Sequence, residues 1–302
     1  MIVRWRTRTG IEVGRFAIII LGIAAILFAI AGAWIAASAS DSVPWLAVAG
    51  AGLVVMGGTW ASARSWRALL AGTDSAVDPV KAYVASLPAK YLPGGIAQPI
   101  GLIVLTSGGR TSIGRVMAAA ATQFVVSVFG GASLALPVTS FGSRVPVVYV
   151  LLTIAGMLVL LFFLPNWLPL LTVKMGQRLR LKVDDWIFPD KASTVRAYAW
   201  TFIGFVAMGT SFAIVVRALG SSAPWFTIIA AFAVAWTIGF LAVPLPAGVG
   251  AREGVLLALL APWSGASVVI AASLLQRFAS MLAELALFGT FRAWRVIKDL
   301  PS

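Results

Sequence analysis

Five ionisable residues lie inside apolar stretches of this chain: Lys90, Arg252, Glu253, Arg277 and Glu284. Facing lipid at the centre of a bilayer, each would cost at least ~2.5–3.5 kcal/mol, so each is expected to face the protein interior or a water-filled cavity. Arg252 and Glu253 follow the break Pro246-Ala247-Gly248 and fall in the first turn of the helix that should begin there. Glu253 in that turn complements the positive end of the helix dipole. Arg252 is opposed by the same dipole and needs another reason. Binding a phosphate is one, because a guanidinium presents paired donors. Arg277 and Glu284 stand seven apart on one helical face. They suit either an interhelical pair that locks a bundle or a polar lining. Lys90 precedes a second break, Pro93-Gly94-Gly95. It either supplies another cation or snorkels to the membrane surface. Gln98, Gln123 and Gln276 are weaker candidates for the lining.

Two absences bound the chemistry. The chain has no Cys and no His, which excludes a thiolate nucleophile, an imidazole base, a Ser-His-Asp triad and a Cys/His zinc site. No acidic cluster suits a divalent metal, and no cofactor is expected. Glu253 and Glu284 are the carboxylates available for acid–base work, so a membrane-embedded enzyme acting on lipid head groups stays open as an alternative. A scaffold subunit in a glycolipid or cell-envelope pathway is another. No second acidic residue lies near Glu253 in sequence, and a non-enzymatic role is the first expectation.

The elements that must position these residues are apolar helices. Of 302 residues 60% are apolar and 11% charged, with a mean hydropathy of +0.97, which excludes an ordinary soluble globule. The apolar runs are Phe16–Ala37, Val43–Ala63, Pro79–Thr106, Gly114–Pro137, Pro146–Thr172, Thr194–Leu219, Pro224–Pro244, Leu245–Ala261 and Gly265–Thr290. Most approach or exceed the ~20 residues that cross a bilayer. Phe16–Ala37 is longer than the ~7–15 residue core of a signal peptide and reads as a retained first span. Segment Lys174–Asp190 mixes charges with Leu179, Trp186 and Phe188 and suits an interfacial helix or solvated loop. The net charge of +13 is read as Lys and Arg beside anionic lipid rather than as a nucleic-acid surface.

Basic residues set the orientation. With the N-terminus inside, Arg64, Arg67, Arg110, Arg115, the stretch Lys174–Lys191 and Arg292, Arg295 and Lys298 all fall inside, leaving Arg144 and Arg217 outside. That distribution requires Pro79–Thr106 to enter and leave on one side, and the broken pair Pro224–Ala261 to do so on the other. Each is expected to be a re-entrant helix–break–helix hairpin. The expected fold is therefore all-α and polytopic, with about six full spans plus two re-entrant hairpins. Residues 1–302 form one transmembrane domain. Residues 41–137 are a first repeat, 138–193 a connecting span with the basic segment, and 194–290 a second, inverted repeat.

The repeat is visible at an offset of 153. Leu92-Pro93-Gly94-Gly95-Ile96 falls on Leu245-Pro246-Ala247-Gly248-Val249, and Gly101, Val116, Ala118-Ala119 and Gln123 fall on Gly254, Val269, Ala271-Ala272 and Gln276. That is 8 identities in 32 positions, where biased composition gives roughly a tenth. Paired broken helices in inverted repeats point to alternating access, with a substrate where the breaks meet. A helix that begins within the bilayer presents unpaired N–H groups, and the glycines Gly95 and Gly248 let a substrate approach the backbone. Two such starts make an anion site.

At Leu245-Pro246-Ala247-Gly248-Val249-Gly250-Ala251-Arg252-Glu253-Gly254, followed by Leu275-Gln276-Arg277, the chain resembles the lysylphosphatidylglycerol synthase transmembrane region, or flippase-like, family. Lys90-Tyr91-Leu92-Pro93-Gly94-Gly95 matches the family's other hallmark. The resemblance implies a flippase or translocator for a phospholipid or a polyprenyl-phosphate lipid in a bacterial or archaeal cytoplasmic membrane, with both termini cytoplasmic. Synthase activity belongs to a soluble domain that follows the membrane part in bifunctional members, and it is not expected of these residues. After Gly95 the chain continues Ile96-Ala97-Gln98-Pro99, without counterparts to Arg252 and Glu253, so the two hairpins are not expected to hold a head group equally.

Overall fold

Asp78 and Asp190 each start a helix by the same device, a carboxylate accepting from N–H groups that the first turn leaves unpaired. Asp78 accepts from the Val80 and Lys81 N–H groups at 3.0 and 3.2 Å, with Pro79 at the first helical position. Asp190 accepts from the Ser193 N–H at 2.6 Å, which with the Ser193 hydroxyl holds its carboxyl below the usual carboxylate range. The computed structural model describes residues 43–75, 77–91, 97–107, 111–135, 186–241 and 250–298, with isolated helical positions at 27, 30, 31, 34, 35 and 173. The rest of the expected first span, the span Pro146–Thr172, most of Lys174–Asp190 and both breaks, with Gly95 and Gly248, lie outside the described residues.

Eight α-helices run through the described residues, and no strand. They are α1 Trp45–Leu69, α2 Pro79–Ser86, α3 Ala97–Thr106, α4 Ile113–Ala135, α5 Lys191–Ala218, α6 Trp225–Leu241, α7 Ala251–Ser264 and α8 Ala266–Lys298. A 3-10 turn, Leu87–Tyr91, prolongs α2. Four helices, α1, α4, α5 and α8, are long and apolar enough to cross a membrane. Outward residues such as Leu46, Leu53, Val104, Ile203 and Ile238 are exposed, as lipid contact requires. The protein is a multi-pass membrane protein. Within Pro79–Thr106, α2 tightens into the 3-10 turn at Leu87, ahead of the expected break at Pro93-Gly94-Gly95. Pro88, which has no N–H, sits in that turn. The α8 helix continues past the expected Thr290 to Lys298.

Helices α1 and α5 pack along each other at the centre. They cross where glycines remove the side chains. A Cβ on Gly58 would stand 3.2 Å from the Ala207 Cβ, and one on Gly204 would stand 3.2 Å from the Ser62 Oγ. Small residues at such a crossing let helix backbones approach closely. The other neighbours follow an exchange rule. Helix α1 packs on α2, α4 and α8, and α5 packs on α6, α8 and α4. Likewise α2 touches α3 and α8, α6 touches α7 and α4, and α3 meets α4 as α7 meets α8. Each set of four has a core. Trp66, Leu69, Ala82, Leu102 and Val116 fill the first, and Phe212, Ile228, Phe232, Leu256, Leu260 and Leu275 fill the second.

Candidate functional site

The site begins at the start of α7. Gly250 precedes the helix at φ 87°, a backbone that glycine adopts without strain. Glu253, in the first turn, reaches back so that its Oε2 accepts from the Gly250 N–H at 2.8 Å. Its Oε1 accepts three more bonds: Arg277 Nε at 3.0 Å, Arg277 Nη2 at 2.8 Å and Ser273 Oγ at 3.1 Å. One carboxylate thus closes a helix start and holds a guanidinium that is only 7% exposed. The charge assistance makes these bonds strong, and the cap removes an orphan donor.

A second carboxylate lies seven residues further along α8. Glu284 is 2% exposed. It pairs with the Lys90 ammonium and accepts from the Tyr91 hydroxyl at 2.9 Å. Both donors come from the 3-10 turn that precedes the first break, so Glu284 ties that turn to α8. The ammonium also stands 5.0 Å from the centre of the Tyr91 ring. Lys90 therefore bonds inward instead of snorkelling outward. Tyr83, on α2, lies close enough to Ser62, Gln98 and Glu284 to interact with all three.

Arg252 completes the cluster in a different way. The face of its guanidinium lies over Phe232 of α6, 5.2 Å from the ring centre. Its charge lies close enough to interact with the Arg277 and Glu253 charges, and the Tyr91 phenol is near as well. Its Nε is buried, and among the described residues it has no hydrogen-bond partner. Two guanidiniums, one ammonium and two carboxylates thus gather where α7 and α8 meet the Leu87–Tyr91 turn.

Of the residues expected from sequence, Lys90, Arg252, Glu253, Arg277 and Glu284 come together. Gln98 reaches the edge of the group through Tyr83. Gln123 does not join it. Gln123 accepts from Ser65 Oγ at 2.9 Å and donates to Thr201 at 3.3 Å and Ser127 at 3.2 Å, between α1, α4 and α5. Gln276 donates to Ser280 at 3.0 Å. The Gln123–Ser127 and Gln276–Ser280 bonds are counterparts, 153 residues apart. Tyr91 and Ser273 were missed. Ser273 carries a signal in hindsight, since it precedes Arg277 by one turn on the same face. Tyr91 carries none beyond its place beside Lys90.

A match to one family model, the lysylphosphatidylglycerol synthase TM region, spans residues 13–287. The chain belongs to that family. The match takes in α1, α4 and α5, α8 as far as residue 287, and every member of the ionic cluster. The family makes this a membrane protein connected with lipids. Comparison with curated proteins returned no match.

Proposed function

We propose that the protein is a lipid flippase, moving an anionic, phosphate-bearing lipid or a polyprenyl-phosphate-linked glycolipid across the cytoplasmic membrane. The observation that carries this reading is the ionic cluster. Five charged side chains meet in an apolar helical bundle, and charge at that depth is costly unless it is paired or serves a passing charge. In this reading Arg252 and Arg277 hold the phosphate, Glu253 and Glu284 balance them, and the tails remain in lipid. The carboxylates are also the candidates for proton coupling. No covalent step is assigned to the chain.

The reading takes α1–α4 and α5–α8 as inverted repeats, each contributing a re-entrant hairpin to about six full spans. Several observations support the repeat. Helices α4 and α8 begin 153 residues apart, at Ile113 and Ala266. The packing neighbours exchange between the two sets. The matched residues Val116, Ala118 and Ala119, and their counterparts Val269, Ala271 and Ala272, are all fully buried.

Reconstitution into liposomes with labelled phospholipids and polyprenyl-phosphate lipids tests the proposal. Transbilayer movement above that of empty vesicles is expected. Arg252→Ala should slow it by at least about tenfold, the equivalent of ~1.4 kcal/mol. Movement no faster than in empty vesicles across the whole panel would sink the reading.

A further inference from the structure

Arg64 stands on α1 one turn after Trp60. The Trp60 ring meets the Trp200 ring of α5 edge to face, with centres 5.4 Å apart, so the two indoles bridge the seam between the central helices. The Arg64 guanidinium lies in their corner, 5.1 Å from the Trp60 centre and 5.4 Å from the Trp200 centre. Among the described residues it has no ion pair and no hydrogen bond, so the rings hold the charge in place without taking its N–H donors. Leu53, Gly57, Trp60 and Arg64 recur at the spacing of one helical face, and the first three are exposed. A Cβ on Gly57 would have nothing within 4 Å. On α5, Ile203 is exposed one turn after Trp200. The eleven residues from Leu53 to Arg64 rise about 16 Å, close to one leaflet of a ~30 Å hydrocarbon core.

We infer that the outer seam of α1 and α5 binds one anionic phospholipid of the surrounding bilayer, in the leaflet at which α1 ends and α5 begins. The Arg64 edge takes the phosphate through paired N–H donors, and an acyl chain lies over Gly57 and Leu53. The site uses no member of the ionic cluster, so it stands or falls apart from the flippase reading. The two rings cover the faces of the guanidinium and leave its edge to an acceptor, and indoles settle at the level of the head groups. Because the rings fix the fork before the ligand arrives, less side-chain freedom is lost on binding. Arg67 and Arg196 are exposed, one turn from Arg64 and from Trp200. Arg196 is bonded back to the Ala192 carbonyl and the Ser193 hydroxyl of its own helix, so it contributes potential rather than a second grip. That potential favours a net-anionic head group over a zwitterionic one. A second copy of the chain is the weaker occupant, since the face below Arg64 is apolar over the length of one leaflet and offers a carboxylate nothing to bond.

Photolabelling tests the inference. The full chain is reconstituted into phosphatidylcholine vesicles that carry a trace of one of two probes, phosphatidylglycerol or phosphatidylcholine, each with the same photoreactive group at the end of an acyl chain. Labelled peptides are mapped by mass spectrometry. The phosphatidylglycerol probe should label the α1 peptide around Leu53 and Gly57 at least about fivefold more than the phosphatidylcholine probe, the factor that one basic residue contributes at an anionic surface. Arg64→Gln should bring that ratio below about twofold. Arg64→Lys keeps the charge without the fork and should fall between; it replaces Arg64→Gln if that variant does not fold. Arg217→Gln, at the far end of α5, should leave the ratio unchanged. Equal labelling of the peptide by the two probes would overturn the inference, as would a ratio that Arg64→Gln does not lower or that Arg217→Gln lowers as much. A face that neither probe labels, in a chain that cross-links to itself through α1, would assign the seam to a second copy and overturn it as well.

Discussion

Helices α4 and α8 begin 153 residues apart, take corresponding neighbours and bury the same small residues at the same points, yet they hold opposite interiors. Where α8 carries Arg277 and Glu284, α4 carries Phe124 and Gly131. Phe124 packs on Phe240 of α6 with ring centres 5.0 Å apart. Gly131 lets α6 come so close that a Cβ there would stand 1.9 Å from the Thr237 hydroxyl oxygen. On the other side, the Leu87–Tyr91 turn sends Lys90 and Tyr91 to Glu284 instead of closing onto a glycine. The same scaffold is shut by packing in one half and held by charge in the other. The two sets of helices share their packing neighbours, and the charged residues make them differ.

The sharpest way to break that contrast is to discharge the charged half. Glu284 is 2% exposed and serves two donors, so Glu284→Ala strands Lys90 and the Tyr91 hydroxyl together. Losing one partner of a buried pair costs ~3–5 kcal/mol, and with Lys90 a third exposed the expected loss is nearer ~2–3 kcal/mol. Unfolding in detergent, followed by denaturant or heat, measures it. The double change Lys90→Met with Glu284→Leu should recover most of the loss, because removing both charges leaves neither uncompensated. A single variant within ~0.5 kcal/mol of the unmodified chain would show that the pair does not hold the halves together.

Much of the frame is legible in the residues themselves. The likeness at an offset of 153 can be read where matched residues are alike in burial: Ala118 and Ala119, like Ala271 and Ala272, are fully buried, where close helix packing favours small side chains. The location of charge can be read as well, since Lys90, Arg252, Glu253, Arg277 and Glu284 stand out against apolar sequence. Their pairing cannot. Arg277 and Glu284 share a helix face and invite each other, yet Arg277 turns to Glu253 and Glu284 to Lys90, 194 positions away. Such choices depend on which helix start and which turn arrive beside each side chain, and that is a property of tertiary packing. The same limit applies to Gln123. Its type suits a lining, but the helices that surround it bring Ser65 and Thr201 and make it a structural link.

The packed half can be opened in turn. Gly131→Ala places a methyl group against Thr237 and against the Phe205 ring, 3.2 Å away. Overpacking of this kind costs ~1–3 kcal/mol. Thr237→Ala in the same chain should relieve most of it, since the Thr237 hydroxyl is the nearest atom. Gly57→Ala is the control. Nothing lies within 4 Å of a Cβ there, and alanine in a helix interior is favoured over glycine by ~0.5–1 kcal/mol. One glycine of the pair should thus lower the unfolding midpoint and the other should raise it or leave it unchanged. If both substitutions act alike, close packing is not what shuts this half.

The smallest effect separates two glutamines that stand 153 residues apart, Gln123 and Gln276. Gln123→Leu and Gln276→Leu remove the same side chain from equivalent helix positions, and each loses a bond to the serine one turn on. Gln123 also accepts from Ser65 and donates to Thr201, so its loss removes a junction between three helices. Each neutral bond is worth ~0.5–1.5 kcal/mol, and a group left unsatisfied costs more. Ser65 keeps the Ala197 carbonyl and the Thr201 hydroxyl, which limits the damage. Gln123→Leu should therefore cost ~1–2 kcal/mol, and Gln276→Leu under ~1 kcal/mol, measured by the same unfolding assay. Lipid binding should rank them the other way, because Gln276 adjoins Arg277 and Gln123 stands outside the ionic cluster. If Gln123→Leu were the variant that weakened phosphatidylglycerol binding while leaving stability intact, the division between a holding half and a binding half would be wrong.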